Sequence, residues 1–222
     1  MSYPTYHSVF LHLEGRSCLV VGGGPIAVEK ITGLKDAGAR VTVIAPQALD
    51  TISDWHEADE VEWLAREFVP EDVLPFFLVI GATDDMEVNR EVYEAGNRLN
   101  RLANAVDDPD YCNFIMAAMV RRGPVQVAVS SSGCSPALAQ KIRNRIANEI
   151  LEPETGLLAE FLGSWRPAVK DRLAGYGVRK SFWEDVLASA VPGFIADGNA
   201  LAADAEMERL LDTAAAGQRR VS

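Results

Sequence analysis

The alternation of apolar runs with helically spaced apolar positions divides the chain into two regimes. Ser17-Cys-Leu-Val-Val21 is a short run rich in β-branched residues. Three glycines follow it, and then Val28 to Ala37 carries apolar residues at helical spacing, closed by Gly38. That predicts strand, tight turn and helix. Arg40-Val-Thr-Val-Ile-Ala45 predicts a second strand, and Val61 to Phe68 and Phe76 to Ile80 two more, the last leading into Gly81-Ala-Thr-Asp-Asp85. Asn89 to Asn100 reads as a helix and Leu102 to Val106 as a further strand. Strands alternating with helices require crossover connections, which give a mostly parallel sheet covered on both faces.

Beyond Asp107-Asp-Pro-Asp110 the pattern changes. Phe114 to Val120 and Val125 to Ser130 flank Arg121-Arg-Gly-Pro124, the signature of an antiparallel hairpin, and a second domain starts near here. Ser135-Pro136 offers a helix cap followed by proline at the first helical position, ahead of a helical stripe over Ala137 to Leu151. From Glu154 onward the expectation is helices separated by Gly175, Gly177, Pro192-Gly193 and Gly198, ending in a polar, frayed tail.

Composition narrows what such a chain does. With 222 residues, 48% of them hydrophobic, there is material for a good core and a smaller second unit. Met1 to Gly15 lacks the basic start and apolar run of a signal peptide, and no stretch approaches the length a membrane span needs, which predicts a soluble, cytoplasmic protein. Three scattered cysteines, Cys18, Cys112 and Cys134, fit a reducing compartment, with Cys18 as a small core residue. The net charge of −11 argues against nucleic acid or an anionic membrane as partner, because both demand a basic footprint. The charge is uneven: residues 1–110 hold 8 basic and 20 acidic side chains, whereas Arg121 to Lys180 holds 10 basic and 5 acidic. That stretch could receive an acidic small molecule or simply present solvated helix faces.

Gly22-Gly-Gly-Pro-Ile-Ala27 fits G-x-G-x-x-A between a predicted strand and a predicted helix. Gly22 permits the tight turn, Gly24 leaves room for a pyrophosphate, and Ala27 lets the helix pack closely on the strand. The helix N-terminus supplies free N–H groups to the phosphates. A glycine turn serving packing alone is the competing reading. At the end of the second strand, where an acid would bond the adenosine ribose, stands Ala45-Pro46-Gln47. Gln47 can bond a ribose hydroxyl and no arginine stands beside it for a 2′-phosphate, which leans toward NAD over NADP.

Other motifs carry less. Tyr176-Gly-Val-Arg-Lys180 matches the Y-x-x-x-K spacing of short-chain dehydrogenases, but glycines flank the tyrosine and the match lies beyond the parallel sheet. His7, His12 and His56 have no partners at ligand spacing, so no metal site is expected. The acidic run Asp54 to Glu62 reads as a solvated face or loop. Two places on the C-terminal side of the strands stand out: Asn104-Ala-Val-Asp107 leaves a carboxylate just past a strand end, and Ser130-Ser-Ser-Gly133 gathers hydroxyls and backbone donors ahead of Ser135. A turn residue and an ordinary loop with its cap are the alternatives.

Together the motifs resemble one family, the bifunctional precorrin-2 dehydrogenase and sirohydrochlorin ferrochelatase module of siroheme synthases. The resemblance rests on Cys18 to Gly24, Ala27 with Lys30, Gly38 to Val43, Ala82 to Asp85 with Asn89, Asn104 to Asp107, Phe114 to Met116, and Val127 to Ser131 with Gly133 and Ser135-Pro136. It covers about Tyr3 to Leu151 and continues more weakly through Phe182-Trp183. It implies an α/β protein: an N-terminal Rossmann NAD-binding domain over residues 1–113, a small α+β dimerisation domain over 114–151, and a C-terminal helical domain with a polar tail over 152–222. It implies oxidation of precorrin-2 to sirohydrochlorin with NAD as hydride acceptor, followed in many members by insertion of Fe²⁺, in a homodimer. By position Asp107 matches the essential aspartate. Ser131 matches a serine beside the tetrapyrrole, with Asn104 counted as substrate-binding. Gly22, Gly24, Pro25, Ile26, Pro46, Gln47 and Thr83 fall where the cofactor is bound. Asp108, Ser132 and Cys134 depart from the pattern around the tetrapyrrole loop. A dehydrogenase without chelatase activity and a non-catalytic NAD-sensing module are the alternatives.

Overall fold

The computed structural model describes residues 5–219 and forms two compact units, Met1–Met116 and Ala117–Ser222. In the first, β1 (Ser17–Val21), β2 (Arg40–Ile44), β3 (Glu62–Leu64), β4 (Leu78–Gly81) and β5 (Leu102–Ala105) make one parallel sheet of order β3-β2-β1-β4-β5. The connections carry α1 (Pro25–Asp36), α2 (Asp50–Glu57) and α3 (Met86–Arg98), with a 3₁₀ turn over Pro70–Val73.

Both faces of the sheet are covered, which is why β1 reads as an unbroken apolar run. Cys18 and Val20 point into a cluster with Ala27, Ile31 and Leu34 of α1 and Ile52 of α2. Leu19 and Val21 point the opposite way, toward Val92 and Ala95 of α3. Each buried leucine or valine side chain contributes roughly 1.5–3 kcal/mol, so these two clusters hold the sheet. Gly38 closes α1 as expected, with a φ of 77° and its N–H donating to the Lys35 carbonyl at 2.8 Å.

Several boundaries move. The expected strand over Val61 to Phe68 shrinks to three residues, because the chain leaves the sheet at Ala65 to form the loop that enters the 3₁₀ turn. The acidic run Asp54 to Glu62 is no single loop: its first residues finish α2 and its last opens β3. Helix α3 starts at Met86, ahead of Asn89, since the Asp85 carboxylate caps it by accepting the Glu87 N–H at 2.9 Å.

The second unit opens with a hairpin of β6 (Ala118–Arg122) and β7 (Val125–Val129), its turn being Gly123-Pro124 with Gly123 at φ 53°. Phe114, expected at the start of that hairpin, instead packs against the first unit's core. Helix α4 (Pro136–Glu149) begins as predicted, with the Ser135 hydroxyl accepting the Leu138 N–H at 3.2 Å. Then come α5 (Pro153–Arg172), α6 (Tyr176–Ala188), α7 (Val191–Ala196) and α8 (Ala200–Arg219), around Val169, Leu173, Phe182, Val186 and Met207. Gly175 and Gly198 separate helices, but Gly177 and Pro192-Gly193 sit inside α6 and α7, where the packed apolar face overrides their low propensity. The expected frayed tail is helical to Arg219, and residues 220–222 lie outside the described part.

Burial pushes the Cys18 thiol up to about 11, whereas Cys134 is exposed. An unfolded cysteine ionises near 9.0, so the stability tied to the neutral buried thiol is complete below that pH and is lost as pH rises through about 11. In a thiol titration of native protein at pH 8, Cys134 should react first and Cys18 only on denaturation. Immediate reaction of all three thiols would contradict the packing described.

Candidate functional site

The carboxyl ends of β1, β2 and β4 open into one cleft of about 830 Å³, at the point where the strand order reverses between β1 and β4. Open α/β sheets bind ligands at such switch points. Gly22, Gly24, Pro25, Ile26, Pro46, Gln47 and Thr83 all line it, so one cleft collects every residue expected to bind the cofactor.

The glycine loop is built by close approach. Gly22 holds φ 131°, and a Cβ there would overlap the backbone carbonyl of Ala82 at the exit of β4. A Cβ on Gly23 would overlap the Gln47 carbonyl, a role the motif gives no sign of. Gly24 differs: a Cβ there would meet nothing within 4 Å. It caps α1 in extended conformation with no side-chain hydrogen bond, and Pro25 occupies the first turn. The first N–H groups of α1 therefore face open space beside Gly24, a cradle for phosphate oxygens. Those residues fit a dinucleotide.

On the far side of the switch point, Asn89 clamps the loop that carries Thr83. Its side-chain oxygen accepts the Thr83 N–H at 2.9 Å, and its amide nitrogen donates to the Thr83 carbonyl at 2.9 Å. Asn89 is buried inside α3, and its pairing with the preceding loop was not legible from spacing. Glu67 and Phe68 after β3, and Asp84, Val88 and Glu91, also line the cleft and were not anticipated. Asp84 falls within the Ala82 to Asp85 segment of the resemblance, but no motif marks the other four, because only the packing of β3 beside β2 and the approach of α3 bring them there.

One strand beyond β4, the turn after β5 presents two adjacent aspartates in different states. The Asp108 carboxylate accepts the Arg90 Nε–H at 2.9 Å, and that pair raises the guanidinium's already high pKa. Arg90 also lies over the Tyr111 ring at 5.0 Å. Asp107 is exposed, has φ 63°, and forms no hydrogen bond or ion pair among the described residues. Left-handed backbone is unusual for a residue with a side chain, and such conformations concentrate at functional sites. Asn104, expected beside the substrate, is buried, and its amide nitrogen donates to the Phe114 carbonyl at 3.0 Å and lies 3.1 Å from the Cys112 sulfur. Burial raises the Cys112 thiol, which donates to the Ala105 carbonyl at 3.2 Å. Asn104 and Cys112 thus brace the turn that displays Asp107.

Ser131 lies in the second unit. Its hydroxyl oxygen accepts the Ser135 N–H at 2.9 Å, while Ser132 takes a left-handed φ of 52° and Gly133 one of 83°. The loop is a tight turn feeding α4. Tyr176 and Lys180 do lie one turn apart on α6, where Tyr176 is 78% exposed, Lys180 sits 3.7 Å from Glu184, and both line a cleft within the second unit rather than the one at the sheet edge. No group of three histidine, cysteine or acidic side chains is placed to hold a metal among the described residues. No helix there is long and apolar enough to cross a membrane.

Comparison with known proteins agrees with this layout. Residues 9–118 match a family described as NAD(P)-binding, 122–149 one described as sirohaem biosynthesis protein central, and 154–211 one described as sirohaem synthase dimerisation region. The last description attaches to α5–α8, later in the chain than the hairpin and helix over 114–151 to which the resemblance gave that role. Siroheme synthase 1 of Pectobacterium atrosepticum is 40% identical over 206 residues, covering 93% of this chain and 43% of that protein. Siroheme synthase of Neisseria meningitidis serogroup B is 42% identical over 179 residues, 81% of this chain and 37% of that one. The chain thus spans less than half the length of these relatives. The solved structure of SirC, a precorrin-2 dehydrogenase, superposes with a TM-score of 0.75 at 25% identity, over 94% of this chain and 100% of that one.

The two outer glycines should fail differently. Gly24→Val should keep its melting temperature within a few degrees and lose NAD binding, since its side chain occupies only the ligand's space. Gly22→Val should lose stability outright, because it adds backbone overlap at Ala82 to the roughly 1–3 kcal/mol of a left-handed backbone strain. Thermal melts with NAD titrations check both; equal melting loss in the two variants would refute the assignment.

Proposed function

This chain belongs to the family of the NAD-binding module of siroheme synthases, and from that premise we propose that it oxidises precorrin-2 to sirohydrochlorin. The observation that carries the reading is the pairing of the phosphate cradle at Gly24 with an unpaired, left-handed Asp107 on the same edge of one sheet. NAD, when bound, accepts the hydride. The chain's own residues do the rest.

Gly22 to Ile26 receive the pyrophosphate, Pro46 and Gln47 flank the adenosine half, and the Thr83 loop lines the side of the cleft nearest β5. Oxidation removes a hydride and a proton from the macrocycle, and the proton goes to the Asp107 carboxylate, which has no competing partner to be stripped away first. Ser131, in the loop ahead of α4, contributes a hydroxyl to the substrate. The basic surplus over Arg121 to Lys180 matches a macrocycle rimmed by carboxylates, and the acidic excess of residues 1–110 orients it by repulsion. Fe²⁺ enters this reading as the metal substrate of a second step, insertion into sirohydrochlorin. The protein works as a homodimer in the cytoplasm. A sensor would bind NAD and turn nothing over.

Asp107→Ala should bind NAD with unchanged affinity and lose about 10²–10⁴-fold in single-turnover oxidation of precorrin-2. Asp108→Ala should lower the melting temperature, since it removes the ion pair that ties Arg90 of α3 to the turn after β5, and oxidise at a rate within about threefold of the parent per folded molecule. Absorbance of sirohydrochlorin gives both rates, and repeating the assay with Fe²⁺ reads the second step. An Asp107→Ala enzyme as fast as the parent would remove that carboxylate from the mechanism.

A further inference from the structure

We propose that Glu67 selects NAD over NADP, by accepting the hydroxyls of the adenosine ribose and excluding a 2′-phosphate. This rests on the reading of the cleft as a dinucleotide site. In many such sites the ribose is bonded by an acid at the end of β2, and this chain has Ala45-Pro46-Gln47 there. The structure supplies a carboxylate from the neighbouring strand instead.

Strand β3 leaves the sheet directly beside the end of β2. The Ala45 N–H donates to the Leu64 carbonyl at 3.3 Å, and the Trp63 indole N–H donates to the Ala45 carbonyl at 3.0 Å. The chain emerging from β3 therefore reaches the place an acid after β2 would serve, and Glu67 lines the same cleft as Pro46 and Gln47. In the strand order β3-β2-β1-β4 this is the adenosine side, opposite the side lined by Thr83, Asp84 and Glu91.

The neighbouring cation is held out of play. Arg66 forks onto Asp72 through two hydrogen bonds of 2.7 Å, and a third from the same guanidinium, 2.9 Å, goes to the Glu67 carbonyl. Asp72 also accepts the Val69 N–H at 2.9 Å, which closes the loop around the 3₁₀ turn. Arg66 does not line the cleft, and neither does any other lysine, arginine or histidine among the described residues. Two phosphates can be met by the N–H groups at the start of α1. A third, on the ribose, would face a carboxylate with no cation to balance it, where NADP sites place an arginine.

The test is the dissociation constants of NAD and NADP, read from quenching of intrinsic tryptophan fluorescence in the full chain, for the parent, Glu67→Gln and Glu67→Lys. Glu67 is exposed, so both variants should fold with the parent's melting temperature. The parent should prefer NAD by about 10²-fold, Glu67→Gln should cut that preference about tenfold, and Glu67→Lys should reverse it, since each tenfold step needs only one modest ionic contact. The same NAD-to-NADP ratio in all three proteins overturns the role of Glu67 and leaves the cleft assignment standing. A parent that binds neither dinucleotide overturns the cleft assignment and the proposal with it.

Discussion

The first unit depends on one backbone contact, Gly22 against the carbonyl of Ala82. Strands β1 and β4 are neighbours whose connections leave to opposite faces of the sheet, so their exits diverge and open a crevice. For the crevice to have a floor, the chain leaving β1 must turn at once, at φ 131°, and pass against the exit of β4 with no side chain between them. That turn aims the start of α1 across the crevice rather than away from it. It also leaves Gly24 at the rim, where an absent side chain becomes the ligand's space.

Behind the contact, rigidity comes from burial on both faces of the sheet. With β1 alternating its side chains into two separate cores, neither α1 nor α3 can shift without opening one of them. The loops at the carboxyl edge are then pinned locally: Asn89 clamps the Thr83 loop, Arg66 and Asp72 close the loop after β3, and Asn104 with Cys112 braces the turn after β5. Polar side chains near the site are thus mostly spent on holding backbone. The few left over, Asp107 and Glu67 among them, are the ones available to a ligand.

Charge follows a similar division of labour. The first unit carries the acidic excess, yet its cleft offers the helix N-terminus rather than lysine or arginine to an anion. Backbone donors of this kind are fixed in direction and suit a pyrophosphate lying along the glycine turn. In the second unit Arg145 and Arg172 are drawn into ion pairs with Glu149 and Glu208. A count of charges along that stretch therefore overstates what is free to meet a substrate.

Read alone, the sequence determined the local grammar of this protein. The apolar runs, Gly38, Ser135-Pro136 and the Gly22 to Ala27 motif each act within a few residues, so the alternating strands and helices and the phosphate loop were legible directly. The likeness of Asn104 to Asp107 to a known motif pointed to Asp107 by position, but no spacing could say that of two adjacent aspartates it is the unpaired one. Tertiary structure decided that, because Arg90 comes from α3 and takes Asp108. It also decided the length of β3, the spent state of Asn104, and the arrival of Glu67 and Phe68 at the cleft. Each depends on elements far apart in the chain meeting at one edge of a sheet, and a pairing across such distances leaves no periodicity or spacing for a sequence to display.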